Sequence, residues 1–128
     1  MADSIGIDIV DLSRVARLYE KYGERFLGHI LSPGEIELCN RRSDKVAFLA
    51  GRFACKEAVI KALAPYLGTR PSFSSITIRN ETGGRPEVHF GQPLDKKLEP
   101  LSFRVSISHD RTSAVAMAVI IESRSTPR

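Results

Sequence analysis

Residues 4–10 alternate around Ile5, Ile7 and Ile9, which predicts a strand with Gly6 and Asp8 on its opposite face. The period then changes. Leu12, Val15, Leu18, Tyr19 and Tyr22 form the stripe of an amphipathic helix that Asp11 or Ser13 can cap and Gly23 stops. The helical pattern resumes over 24–31. Ser32-Pro33-Gly34-Glu35 spells a new start, with serine as cap, proline in the first helical position and a glutamate closing a capping box. Asp44 opens a long helix predicted over 45–64 and ended by Pro65. Beyond it, 73–79 and 85–90 read as strands joined by the hairpin turn Asn80-Glu81-Thr82-Gly83-Gly84. A short helical piece is predicted over 94–98. Phe103, Val105 and Ile107 alternate with Arg104, Ser106 and Ser108, and after a turn the β-branched run 113–121 reads as a buried strand. A helical middle flanked by strands predicts an α+β fold, with helices packed on one face of a mainly antiparallel sheet.

The run Arg52-Phe53-Ala54-Cys55-Lys56-Glu57-Ala58-Val59-Ile60-Lys61-Ala62-Leu63 departs from this simple scheme. It is apolar on nearly every side, as a buried helix is, yet Arg52, Lys56, Glu57 and Lys61 interrupt it. An isolated buried charge costs roughly several kcal/mol unless it is paired or ligated. The helix therefore either lines a polar cleft or hides an ion-pair network. Asp8, in an isoleucine-rich strand, raises the same problem. Asp8 and Glu57 together can hold Mg²⁺, which takes one or two carboxylates and completes its shell with water and phosphate oxygens. Equally, Asp8 can cap the next helix and Glu57 can pair with Lys61 one turn on. Arg52 and Lys56 can reach a phosphate or snorkel to solvent.

Near the C-terminus, Ser106, Ser108, His109 and Asp110 put hydroxyls and an imidazole at a strand end. A Ser-His-Asp triad needs spatial convergence that adjacency does not supply, and no Gly-x-Ser-x-Gly elbow is present. His109 is better suited to donate to a phosphate. Gly83-Gly84-Arg85-Pro86 is a hairpin turn rather than a phosphate loop, since no Gly-Lys-Ser/Thr follows. Arg14, Arg17 and Lys21 make a basic stripe on the first helix, either solvated or a docking face.

Bulk properties narrow the field. A chain of 128 residues, 42% of them hydrophobic, suits a single domain over 1–122 with a polar tail at 123–128. A net charge of +4 favours an acidic or phosphorylated partner, without the dense basic run of a nucleic-acid arm. No segment has the pattern of a leader or a membrane span. Cys39 and Cys55 lack the spacing of a metal site or disulfide framework, so reduced thiols and a cytoplasmic location are expected.

Three motifs then occur in order: Gly6-Ile7-Asp8-Ile9-Val10-Asp11, the 52–63 run, and Val105-Ser106-Ile107-Ser108-His109. Together they closely resemble the 4′-phosphopantetheinyl transferases, and the length matches the short bacterial-type subgroup. The resemblance implies transfer of the phosphopantetheine arm of coenzyme A to a serine of an acyl carrier protein. It implies Asp8 and Glu57 as Mg²⁺ ligands and Lys61 at the pyrophosphate. Arg52 and His109 would reach nucleotide phosphates, with Lys56 and Ser108 in the same substrate-binding set, and Gly84-Arg85-Pro86 would lie against the adenine. Arg14, Arg17 and Lys21 would dock the acidic carrier protein, and the family's short members imply a homotrimer with sites shared between subunits. Cys55 stands where the family usually has alanine, and Asp11 where glutamate is commoner. Two other readings use the same residues. One is a non-catalytic module binding acidic proteins or nucleotides, with a structural Glu57–Lys61 pair; the other is a metal-dependent phosphohydrolase with water as acceptor.

Overall fold

The computed structural model describes residues 4–81 and 83–122, so the expected polar tail at 123–128 lies outside the described residues. In chain order the elements are β1 (Ser4–Asp11), α1 (Leu12–Tyr22), α2 (Glu24–Ile30), α3 (Pro33–Asn40) and α4 (Lys45–Leu63). A single 3-10 turn (Phe73–Ser75) precedes β2 (Ile76–Asn80), β3 (Pro86–Phe90), α5 (Leu94–Lys97), β4 (Leu101–His109) and β5 (Ser113–Glu122). One antiparallel sheet has the order β1-β5-β4, and β2 and β3 form a separate antiparallel hairpin. The α+β prediction holds. The expected strand over 73–79 begins later, because its first three residues form the 3-10 turn. No helix among the described residues is long and apolar enough to cross a membrane.

Helix α4 is the axis of the molecule, and most of its apolar residues are buried, with β1, β4, β5, α1, α2 and α3 packed around it. Its closest approach is to β1. A methyl group on Gly6 would fall 2.9 Å from the backbone nitrogen of Ala62 and nearer still to the Ala58 carbonyl, so no side chain fits there. The register sets Gly6 beside Ala118, Asp8 beside Ala116 and Val10 beside Ala114. The sheet therefore meets α4 through a floor of glycine and alanine, with the three alanines buried. Ser4 Oγ donates to the Ala62 carbonyl at 2.6 Å and fixes the end of this contact.

This packing decides which side of β1 faces the helix. The isoleucines of β1 face away from α4, and Ile5, Ile7 and Ile9 are 62%, 59% and 68% exposed. Ile7 lies opposite Met117, itself exposed, so β5 is buried on its alanine face and open on the other. Asp8 is therefore not on the isoleucine face. It occupies the side turned toward the helix. At the loops, the capping box at Ser32 forms, with the Ser32 backbone N–H donating to Glu35 Oε1 at 2.9 Å. Neither Asp11 nor Asp44 caps its helix through the side chain; Asp44 instead accepts from Arg42 at 2.7 Å.

Candidate active site

Of the charges on α4, Arg52 and Lys56 fall on a buried flank and meet Glu35 from α3. Lys56 is fully buried, and its Nζ donates to Glu35 Oε1 at 2.6 Å and to the carbonyls of Ile30 at 2.7 Å and Phe73 at 3.1 Å. Three donors meet three acceptors, so no donor is left for a phosphate. Lys56, expected in the substrate-binding set, here ties α4 to α2, α3 and the segment before β2. Arg52 Nε lies 3.4 Å from Glu35 Oε2, and its Nη2 donates to the Ile78 carbonyl at 3.2 Å. Glu35 Oε2 also accepts from the Ile78 backbone at 2.8 Å. Burial pushes both the Arg52 and Lys56 pKa values down, and Glu35 opposes that shift. Burial likewise pushes the Cys55 thiol up to about 12, which leaves it inert as a nucleophile.

Glu57 and Lys61 sit on another flank, toward β1. Lys61 Nζ donates to Asp8 Oδ1 and to the Ile7 carbonyl, each at 3.0 Å. Glu57 accepts from Arg70 Nη2 at 3.0 Å, so the alternative Glu57–Lys61 pairing is not the one formed. Both carboxylates are mostly enclosed, with side-chain exposures of 19% for Asp8 and 21% for Glu57. Their cations are not, at 53% for Lys61 and 58% for Arg70. Each is a hard oxygen donor in a partly enclosed setting, neutralised by a cation that solvent can draw away, and carboxylates of this kind suit Mg²⁺. Arg70 lay in a loop with no periodicity. The sequence signal for it was indirect: Glu57 required some cation.

A separate cleft of about 420 Å³ opens on the other side of α4. Arg52, Gly84, Arg85, Pro86 and His109 line it, and so does Ser106, while Ser108 does not. Ser106 and Ser108 pair in register with Met117 and Val115, which pair with Ile7 and Ile9, so both serines belong to the outer, isoleucine face of the sheet. Gly83 and Gly84 take φ of 93° and 85°, the left-handed turn that sets Arg85 at the cleft edge. Sequence reasoning missed Arg42 and Phe48, which also line the cleft. The Arg52 guanidinium stacks 4.5 Å from the Phe48 ring centroid. Three arginines and a histidine against Asp44 make this cleft a receptor for anionic groups. The Arg42 hydrogen bond and charge hold the Asp44 carboxyl below its usual range.

Asp8, Glu57 and Lys61 do not line that cleft. Helical geometry explains the separation: the five-residue step from Arg52 to Glu57 turns about 140° past a full revolution. Across the sheet, β5 stands between Asp8 on β1 and His109 on β4, an offset of about 10 Å. One chain thus carries these two groups of residues on different flanks. The basic stripe is a third feature. Arg14, Arg17 and Lys21 are exposed on α1, beside an apolar pocket of about 400 Å³ lined by Leu18, Tyr22, Phe26, Ile30, Phe53 and Phe73.

The chain is similar to known proteins along nearly its whole length. Residues 4–120 match the model of the 4′-phosphopantetheinyl transferase superfamily. A holo-(acyl-carrier-protein) synthase of Chlorobium chlorochromatii is 48% identical over 117 residues, covering 91% of this chain and 98% of that protein. The crystal structure of the Neisseria meningitidis synthase superposes with a TM-score of 0.87 at 37% identity, covering 95% of this chain and 100% of that one. The Helicobacter pylori synthase, solved in complex with coenzyme A, gives 0.78 at 37% identity, covering 91% and 99%.

Proposed function

The chain belongs to the 4′-phosphopantetheinyl transferase superfamily, and on that footing we propose that it is a holo-(acyl-carrier-protein) synthase. It moves the 4′-phosphopantetheine arm of coenzyme A to a serine hydroxyl of apo acyl carrier protein and releases adenosine 3′,5′-bisphosphate. The observation that carries this reading is the pair Asp8 and Glu57. Both belong to the family's motifs, and both are partly enclosed carboxylates held only by exposed cations. A docking module has no use for two such acids on one flank of a helix and an anion cleft on another.

In this reading Asp8 and Glu57 hold Mg²⁺, which when bound supplies Lewis-acid stabilisation of charge on the diphosphate. Lys61, anchored on the Ile7 carbonyl, keeps a positive charge beside that position. Arg52, Arg85 and His109 bind the nucleotide's phosphates, and the Arg85 turn flanks its base. Lys56 acts from within, fixing the helix that presents Arg52 on one flank and Glu57 on the other. The separation of the half-sites supports a shared active site, in which the cleft of one protomer meets the acids of its neighbour. The exposed isoleucines of β1, with Met117, are the apolar surface such an assembly needs. A homotrimer closes this contact with every site equivalent. Arg14, Arg17 and Lys21 steer an acidic carrier protein, whose apolar side chains enter the pocket between Leu18 and Phe53. The single domain over 1–122 works in the cytoplasm, where both buried thiols stay reduced.

Mass spectrometry of apo carrier protein after incubation with enzyme, coenzyme A and Mg²⁺ tests the reading. The carrier should gain one phosphopantetheine, and Glu57→Gln should abolish the gain while circular dichroism shows an intact fold. Full transfer by the Glu57→Gln protein would refute the assignment. Phosphopantetheine released without a carrier would point instead to hydrolysis.

A further inference from the structure

Glu57 is held by a side chain outside the three family motifs. Arg70 Nη2 lies 3.0 Å from Glu57 Oε2. Its guanidinium carbon is also 5.6 Å from the centroid of the Phe73 ring, which Phe53 holds edge-on at 5.3 Å. The other cation of this site is tethered differently. Lys61 bonds a backbone carbonyl as well as Asp8, so it keeps an anchor whatever happens to the carboxylate. Among the contacts of Arg70, the Glu57 carboxylate is the one that a metal ion would take over. The guanidinium projects from the loop between α4 and the 3-10 turn, more than half exposed, and an aromatic face lies within reach. A dication on Glu57 and a guanidinium on the same carboxylate repel each other, so the two compete.

We propose that Arg70 is a built-in competitor of the divalent cation at Glu57. It neutralises the carboxylate while the ion is absent and yields onto the Phe73 ring when the ion enters. The proposal rests on the assignment of Asp8 and Glu57 as the metal pair. Its consequence is an affinity for free Mg²⁺ set lower than two carboxylates alone would give.

Calorimetric titration of Mg²⁺ into the full-length wild type, Arg70→Gln, Arg70→Lys and Glu57→Gln proteins tests it without turnover. Arg70→Gln should bind Mg²⁺ about fivefold more tightly than wild type, the scale of one half-exposed ion pair. Arg70→Lys should restore the weaker binding, and thermal midpoints of the Arg70 variants should match wild type because the side chain is exposed. Equal or weaker binding by Arg70→Gln overturns the proposal and leaves the metal pair standing. Unchanged binding by Glu57→Gln overturns the metal pair, and the proposal falls with it.

Discussion

Glu35 shows how much one residue can hold. It caps α3, neutralises Arg52 and Lys56, and accepts the Ile78 N–H, all while 3% exposed. Removing one member of such a network leaves uncompensated charge in the interior, at a cost of about 3–5 kcal/mol. Glu35→Ala should therefore lose stability on that scale in urea unfolding. A loss under about 1 kcal/mol would mean that water reaches Lys56 readily. The sequence made the local half of this role legible, because Ser32-Pro33-Gly34-Glu35 is a capping pattern readable over four positions. The other half spans 17, 21 and 43 residues, to Arg52, Lys56 and Ile78. Periodicity tells which face a residue is on, not which distant residue faces it. The buried partners of Lys56 were not legible for that reason, and Arg70 was missed.

For secondary-structure elements the same lesson takes a different form. Strand β1 was legible as a strand, and the 52–63 run as a buried helix carrying charges that needed an explanation. Which side of β1 lay inside was not. Alternation assigns the bulky apolar side to the core, but here α4 comes so close that only Gly6 and the alanines of β5 fit beneath it. The isoleucines face out because the inner surface has no room for them. Gly6→Ala tests this account. The added methyl meets backbone on α4, which cannot rotate aside, so the strand and helix must separate. A stability loss of about 3 kcal/mol is expected, read as a lowered thermal midpoint. An unchanged midpoint would show that the contact is looser than its geometry.

Over the molecule as a whole, the proposed reading makes assembly part of catalysis, because the Asp8/Glu57 flank and the cleft lie apart in one chain. Glu57→Gln and His109→Ala homo-oligomers should each be inactive or nearly so. If each site takes Glu57 from one protomer and His109 from the next, subunit exchange between them in equal amounts should restore roughly one quarter of wild-type activity. That is the fraction of interfaces where both wild-type groups meet. No recovery after confirmed exchange would place both groups in one protomer. If the outward isoleucines carry that assembly, they also tie turnover to abundance: a protomer adrift in dilute solution would hold two incomplete sites, so output would climb more steeply than copy number, and a cell making little of this enzyme would lose a disproportionate share of its carrier priming.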